Sequence, residues 1–313
     1  MNRRKFLHSS LGVAAGLSVT ASPSKNRPSW QNGKSQWPLC LDTATLSKSI
    51  GIEKKLRLAA AVGFDCVEPW DWELKKFEDE GGNLEDLKKQ IQDLGLYVPS
   101  VIGLWNALDV SEENFNSRMD EHRNRLRMVS KIGSQHVQVI PNMKEKNLFD
   151  PAIASWCYRQ ILETSINDYG LKGAGVVFLN FFEPLSTLSE ATEVAFGANH
   201  KNAQIIPDTF HMYLGESKLE NFNHLQGDFI TIFQFSDCPE GELPHNRHND
   251  KIRVLPGDGC LPLVDSLKTL KQIDYHGPIS LELYNPEYRS REPKSFLNEA
   301  FAKTLSVVAK ASE

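Results

Sequence analysis

The chain has 313 residues, 40% hydrophobic and 24% charged, a globular composition that argues against large-scale disorder. Lys and Arg number 35 against 40 Asp and Glu, a formal net charge of −5 with no basic face, which makes nucleic acid a poor candidate partner. The five cysteines, Cys40, Cys66, Cys157, Cys238 and Cys260, form no C-x-x-C pair, so zinc ribbons and thioredoxin-type sites are excluded. Their odd number leaves one thiol unpaired. Cys238 and Cys260 flank one loop, but buried free thiols are the better expectation for the set.

Residues 1–21 read as a twin-arginine signal. Arg3 and Arg4 precede Phe6 and Leu7, and an apolar run follows from Leu11 to the small-residue cleavage pattern Val19-Thr20-Ala21. Export to the periplasm is therefore expected. The apolar run is shorter than the ~20 residues a spanning helix needs, so no stable membrane insertion is expected after processing. Loss of Arg3, Arg4 and Lys5 with this segment takes the net charge to −8. Residues 22–37, rich in Ser, Pro, Asn and Lys, read as a linker, and 38–313 as a single domain.

From there β-type runs alternate with helical patterns. Strands are expected at Leu39–Leu46, Cys66–Trp70, Val98–Leu104, His136–Pro141, Val176–Glu183, Ala203–His211, Ile230–Asp237 and Ile279–Tyr284. Helical periodicity marks Ile52–Val62, Leu84–Leu94, Glu113–Ile132, Ile153–Ile166, Leu261–Ile273 and Pro293–Lys310, with Phe77–Gly82 as an exposed loop. Eight β/α alternations predict an α/β fold, a closed (β/α)8 TIM barrel, with an open doubly wound sheet as the alternative. No Gly-rich phosphate loop is present. The long polar connection from Asp237 to Leu261 would lie on the C-terminal face, where barrels build their active sites.

Four polar residues interrupt apolar strands near their ends: Glu183, Asp208, Gln234 and Glu282. Buried carboxylates are very costly unless paired or metal-bound, and three converging at one barrel mouth would repel one another. A divalent cation resolves that repulsion. Three carboxylates and an amide oxygen are hard donors, which suits one Mn2+, with Mg2+ or Co2+ as alternatives.

These residues, with Gly63-Phe64-Asp65-Cys66-Val67-Glu68, Phe182-Glu183-Pro184, Asp208-Thr209-Phe210-His211, Phe233-Gln234-Phe235-Ser236-Asp237, Pro256-Gly257-Asp258-Gly259 and Ser280-Leu281-Glu282-Leu283, resemble the xylose-isomerase-like TIM-barrel superfamily over about residues 38–310. The resemblance implies that Glu183, Asp208, Gln234 and Glu282 bind the metal. Gln234, where ketose epimerases mostly have His, and Asn285-Pro286-Glu287-Tyr288-Arg289 are similar to the dehydroshikimate dehydratase branch. The resemblance implies that His211 contacts substrate, and His211 also suits acid or base work. Arg253, Glu68 and Trp105 are candidate substrate contacts, with Trp70 beside Trp105 as a sugar-stacking surface. His136 reads as structural, and His245 and His248 as solvated loop.

The expected function is a metal-dependent isomerase or epimerase acting on a small carbohydrate, a carbonyl sugar or polyol. Glu183 or Glu282 would remove the α-proton to give a metal-bound enediolate, and the second carboxylate or His211 would return it. An exported lyase on 3-keto glycosides, or a dehydratase, is the alternative. A non-catalytic carbohydrate-binding barrel is a third reading, and a phosphodiesterase of the apurinic-site type lacks its His-rich metal set. Oligomeric state is left open.

Overall fold

The computed structural model of the chain describes residues 30–241 and 249–311. Residues 1–21, expected to be an export signal, residues 22–29 of the expected linker, and the loop residues His245, Arg247 and His248 lie outside the described residues. The eight strands are β1 Leu39–Asp42, β2 Cys66–Glu68, β3 Ser100–Val101, β4 His136–Val139, β5 Gly173–Val177, β6 Ala203–Ile206, β7 Phe233–Phe235 and β8 Ile279–Leu281. Every ladder is parallel, in the orders β2-β1-β8-β7 and β3-β4-β5-β6. Parallel bridges Cys66–Tyr97 and Trp70–Ile102 join the first set to the second, and Ile205–Ile230 and Asp208–Gln234 join it at the other side. The sheet thus closes on itself as a TIM barrel. Short parallel strands with helical crossovers require this layering, because each strand buries both faces.

The two faces are filled differently. Outward-facing side chains such as Leu39, Leu41, Val67, Val137 and Phe233 pack against the helices in one continuous core. Inward-facing ones, Cys40, Cys66, Ile102, Ile140, Val177, Ile206 and Ile232, form a separate apolar plug inside the barrel. Above that plug, toward the strand C-termini, the next inward positions are polar. The same two-residue period that packs the core therefore places the site. None of the five cysteines forms a disulfide; four are buried and Cys260 is exposed.

Most strands are shorter than the sequence reading, and Phe77–Gly82, expected as an exposed loop, begins inside a helix over Asp71–Asp79; three further differences concern the linker and the sixth and fifth strands. Residues 30–37, expected within the linker, pack on the barrel: Trp37 is fully buried and its indole Nε1 donates to Tyr275 O at 2.8 Å. The sixth strand stops at Ile206, and Asp208 opens a helix at Thr209–Leu214 by accepting from the amides of Phe210 and His211. The fifth strand runs Gly173–Val177, starting three residues earlier than expected and ending six earlier. Its two glycines concealed it, since glycine normally weakens strands. Here Gly175 is required, because a Cβ would lie 2.6 Å from Ile206 and 2.7 Å from the Thr231 hydroxyl.

Candidate active site

The C-terminal ends of the strands surround a cavity of about 570 Å3. Its walls are aromatic and its floor is polar. Trp70 and Trp105 stack with centroids 5.7 Å apart and an interplanar angle of 28°. Each is held through its indole: Trp70 Nε1 donates to Asp42 Oδ1 at 2.8 Å, and Trp105 Nε1 to Asp71 Oδ1 at 3.1 Å. Two rings clamped in this way make a rigid aromatic surface facing the cavity. Gln138, His211, Gln234, Glu282 and Tyr284 also line the cavity. A larger cavity of about 890 Å3 opens at the opposite end, beside His136. There the His136 ring Nδ1 lies 3.1 Å from Pro99 O, in keeping with a structural role.

Arg253 dominates the floor. It is fully buried, and its Nη1 donates to Asp208 Oδ2 at 2.6 Å and to Glu282 Oε2 at 2.9 Å. The guanidinium lies 4.6 Å from the Phe210 ring centroid and 5.1 Å from that of Tyr284. Nη2 lies 3.2 Å from His211 Nε2. A guanidinium only donates, so Nε2 accepts and the His211 proton sits on Nδ1, 2.6 Å from Asn180 Oδ1. Burial pushes the imidazole below its ordinary range, keeping it neutral although Asp208 opposes the shift. Both ring nitrogens are committed to protein partners, so His211 orients the floor and is not a free proton carrier.

Among the described residues, two carboxyl groups line the cavity, Asp250 at intermediate exposure and Glu282 buried on the floor. Tyr284 Oη donates to Glu282 Oε1 at 2.5 Å, and Arg253 holds its Oε2. Burial drives its carboxyl well above the usual range. The Arg253 guanidinium opposes that rise, and the Asp208 carboxylate adds to it. Asp208 goes the other way. Burial alone would raise it, but Arg253, assisted by His211, holds it well below the usual carboxylate range. One guanidinium between two buried carboxyl groups thus moves their proton affinities apart, Asp208 down and Glu282 up.

Beneath Gln234 lies a second buried carboxyl group. Glu68 accepts from Ser280 Oγ at 2.7 Å, from Gln138 Nε2, and from Gln234 Nε2 at 3.4 Å. It was expected to touch substrate, but it is fully buried inside the barrel, below the cavity lining. Burial, with the Asp42 carboxylate next, pushes it up to about 8. A raised folded-state value means the native state holds this proton more tightly than the unfolded chain does. Stability from this group is therefore complete below about pH 4.5 and declines as pH rises toward 8, by up to about 1.4 kcal/mol per pH unit. Glu68→Gln mimics the protonated acid and should flatten that decline. Urea midpoints of parent and variant from pH 5 to 8 check it: the variant should gain on the parent as pH rises, and parallel curves would contradict it.

The expected metal ligands do not converge. Asp208, Gln234 and Glu282 meet at the floor, but Glu183 is on the surface, its side chain 80% exposed and 3.5 Å from Lys146. The chain leaves β5 after Val177, and Leu179 takes the next position at the cavity. Leu179 N then donates to Leu185 O at 2.9 Å, closing a tight turn that carries Glu183 outward. Asp208 Oδ1 is committed to the helix cap, and the Arg253 guanidinium sits between the two remaining carboxylates. Among the described residues, no three His, Cys, Asp or Glu side chains form a group able to hold a metal ion. The residues present do not fit a resident divalent ion. Arg253, expected to touch substrate, instead acts through Asp208, Glu282 and His211.

Sequence reasoning placed Glu282, Gln234, His211 and Trp105 at the cavity and missed Asp42, Gln138, Asn180 and Tyr284. Asp42 ends Leu-Cys-Leu-Asp, and Gln138 interrupts His-Val-Gln-Val-Ile. Both are polar breaks in apolar strands, the signal that marked the others.

A closed parallel barrel with a carboxylate, a tyrosine and an aromatic plate at its C-terminal mouth has its candidate site where barrel enzymes build theirs. The family comparison agrees: residues 56–300 match the xylose isomerase-like TIM barrel model, and the chain belongs to that family. It is similar to inosose isomerase of Bacillus licheniformis, 25% identical over 87% of this chain and 98% of that protein. It is also similar to 3-dehydroshikimate dehydratase of Pseudomonas aeruginosa, 24% identical over 86% of this chain but only 42% of that longer protein. Among solved structures, the IOLI protein with a bound zinc atom superposes with a TM-score of 0.79 at 23% identity, covering 87% of this chain and 98% of that one. A structural relative thus holds a divalent metal. The chain is an enzyme of the isomerase/epimerase or lyase type.

Proposed function

We propose that the chain moves a proton on a cyclic, polyhydroxylated carbonyl compound, a keto-sugar or a cyclitol ketone, in an isomerisation or epimerisation. The observation that carries this reading is Glu282 on the cavity floor, gripped by Tyr284 Oη and Arg253 Nη1 beneath the Trp70–Trp105 plate. A ring lying on the plate presents its edge to the floor. With its proton affinity raised by burial, Glu282 gives a proton to the carbonyl oxygen. The ionised form left behind is stabilised by both donors and takes a proton back from the carbon next to the carbonyl. Return of the proton to the former carbonyl carbon, as the adjacent hydroxyl gives up its own, gives an isomer; an epimer takes its new proton on the opposite face from solvent, since neither His211 nor Glu183 carries one there. The Mn2+ expectation is not part of this reading, because Leu179 stands where the Glu183 donor was expected and Arg253 lies between Asp208 and Glu282 where the ion would sit.

A second reading, β-elimination from a 3-keto glycoside, is favoured by one feature. Burial raises the proton affinity of Glu282, which suits an acid that neutralises a departing oxygen. The inosose isomerase and dehydroshikimate dehydratase relatives support the two readings respectively. Turnover assays against cyclitol ketones, keto-hexoses and 3-keto glycosides, run beside calorimetric binding, test the proposal. Product from at least one class is expected. Tight binding with no turnover of any class would indicate a carbohydrate-binding barrel instead.

The reading includes work outside the cytoplasm, on the strength of Arg3 and Arg4. Replacing both with Lys should retain the chain in the cytoplasmic fraction. Unchanged recovery from the periplasm would refute export by this route.

A further inference from the structure

The cation at the barrel mouth belongs to the chain itself. Two buried carboxylates, Asp208 and Glu282, face one positive group, and that group is covalently tethered. Arg253 bonds both through one nitrogen and approaches the Ser236 hydroxyl at 3.3 Å. Its second terminal nitrogen fixes the His211 tautomer. It is sandwiched between Phe210 and Tyr284, and its backbone is tied down because Asn285 Nδ2 donates to Arg253 O at 3.1 Å. Val254, next to it, pairs with Asp237 in both backbone directions. The fifth strand offers an aliphatic side chain, Leu179, at the same cavity.

We propose that Arg253 replaces a divalent ion as the charge-neutralising centre of this site, so that the folded enzyme neither retains nor requires a metal there. A guanidinium is always charged and presents donors in a rigid fork, so it can hold two carboxylates in fixed positions as an ion would. It offers no open coordination position, however. The substrate is then polarised by hydrogen bonds alone, which suits a carbonyl already activated within a ring. Arg253 is a positioning residue: it acts on substrate through Glu282 and His211.

The inference rests on the side chains of the floor together with the proton-transfer reading, and its test needs no substrate, so the two fail separately. The purified full chain is dialysed without chelator for elemental analysis, then melted in buffer, in EDTA, in Mn2+ and in Zn2+. Sub-stoichiometric metal and one melting temperature in all four conditions are expected. Stoichiometric metal, or a melting temperature lowered by EDTA, would overturn the proposal. Arg253→Met should lower the melting temperature by about 10 °C, because it leaves two buried carboxylates uncompensated. That loss should be partly restored by Mn2+ or Zn2+, since the emptied position accepts an ion. Arg253→Lys keeps the charge and should remain blind to metal. Arginine as a purely structural prop would predict no metal response in either variant. Should Arg253→Met fail to fold, the parent's metal content and EDTA response still decide the matter.

Discussion

Glu282→Gln is expected to keep the fold and reduce turnover by about 10²–10⁴-fold. The size of the loss follows from the position of the group. Glu282 is the carboxyl that is buried on the cavity floor, reached by the cavity, and matched by two donors that steady its ionised form. The amide is nearly isosteric. Its oxygen can accept from Arg253, and its NH2 can donate to Tyr284 Oη once that hydroxyl rotates. Packing and the Asp208–Arg253 pair survive, so the melting temperature should stay close to that of the parent. What disappears is the transferable proton. Steady-state rates on any substrate found active, read beside a thermal melt, check this. Activity within about threefold of the parent would remove Glu282 from the mechanism, given the range expected for a proton-transfer group.

Asp237→Ala should cost about 3 kcal/mol or more and lower the melting temperature by roughly 6–12 °C. This buried carboxylate organises the long connection after β7. Its Oδ1 accepts from the amides of Cys238 and Leu261, both at 2.9 Å, and its Oδ2 from Gly257 at 2.9 Å and Gly259 at 3.1 Å. Truncation leaves those amides without their charged acceptor in the interior. Gly259 shows how tight the wrap is, since a Cβ there would lie 2.2 Å from Cys238 O and 2.4 Å from Asp237 Oδ1. The effect should reach the site, because the Asp237–Val254 pairing fixes the segment that carries Arg253. Urea denaturation of the variant beside Asp237→Asn, which keeps one acceptor oxygen, separates lost bonds from general damage. A midpoint for Asp237→Ala equal to the parent's would contradict this role.

The fold was legible in the sequence because barrel strands and crossover helices carry opposite periodicities. Ile52–Val62 and Pro293–Lys310 form helices with the boundaries their patterns predict. The site was legible only where a polar residue ends an apolar strand without competing signals, as at Glu282 and Gln234. Glu183 failed for a local reason. The run Val177-Phe178-Leu179-Asn180-Phe181-Phe182-Glu183 continues to look like a strand after the chain has left the sheet. Period-two counting carried on from Leu179 therefore put Glu183 inside when the turn puts it outside. The role of Arg253 was hidden for a different reason. It lies in a polar loop, sixteen positions after Asp237, and nothing in its neighbours reveals that it folds back between two strand-end carboxylates. Loop closure of that length is a tertiary event with no local periodicity to read. Asp42 and Gln138 carried a readable signal in their strands, and Asn180 is tied to the site through the same His211 that Arg253 orients.

The central claim is that Glu282 exchanges a proton with substrate carbon, and solvent deuterium tests it most directly. A cyclitol ketone or 3-keto glycoside is incubated with the parent enzyme and with Glu282→Gln in D2O, and label at the carbon beside the carbonyl is followed by NMR. The account predicts deuterium in substrate or product at that carbon with the parent, and none above the buffer rate with the variant. Equal labelling by parent and variant, or binding by the parent without any labelling or product, would contradict it.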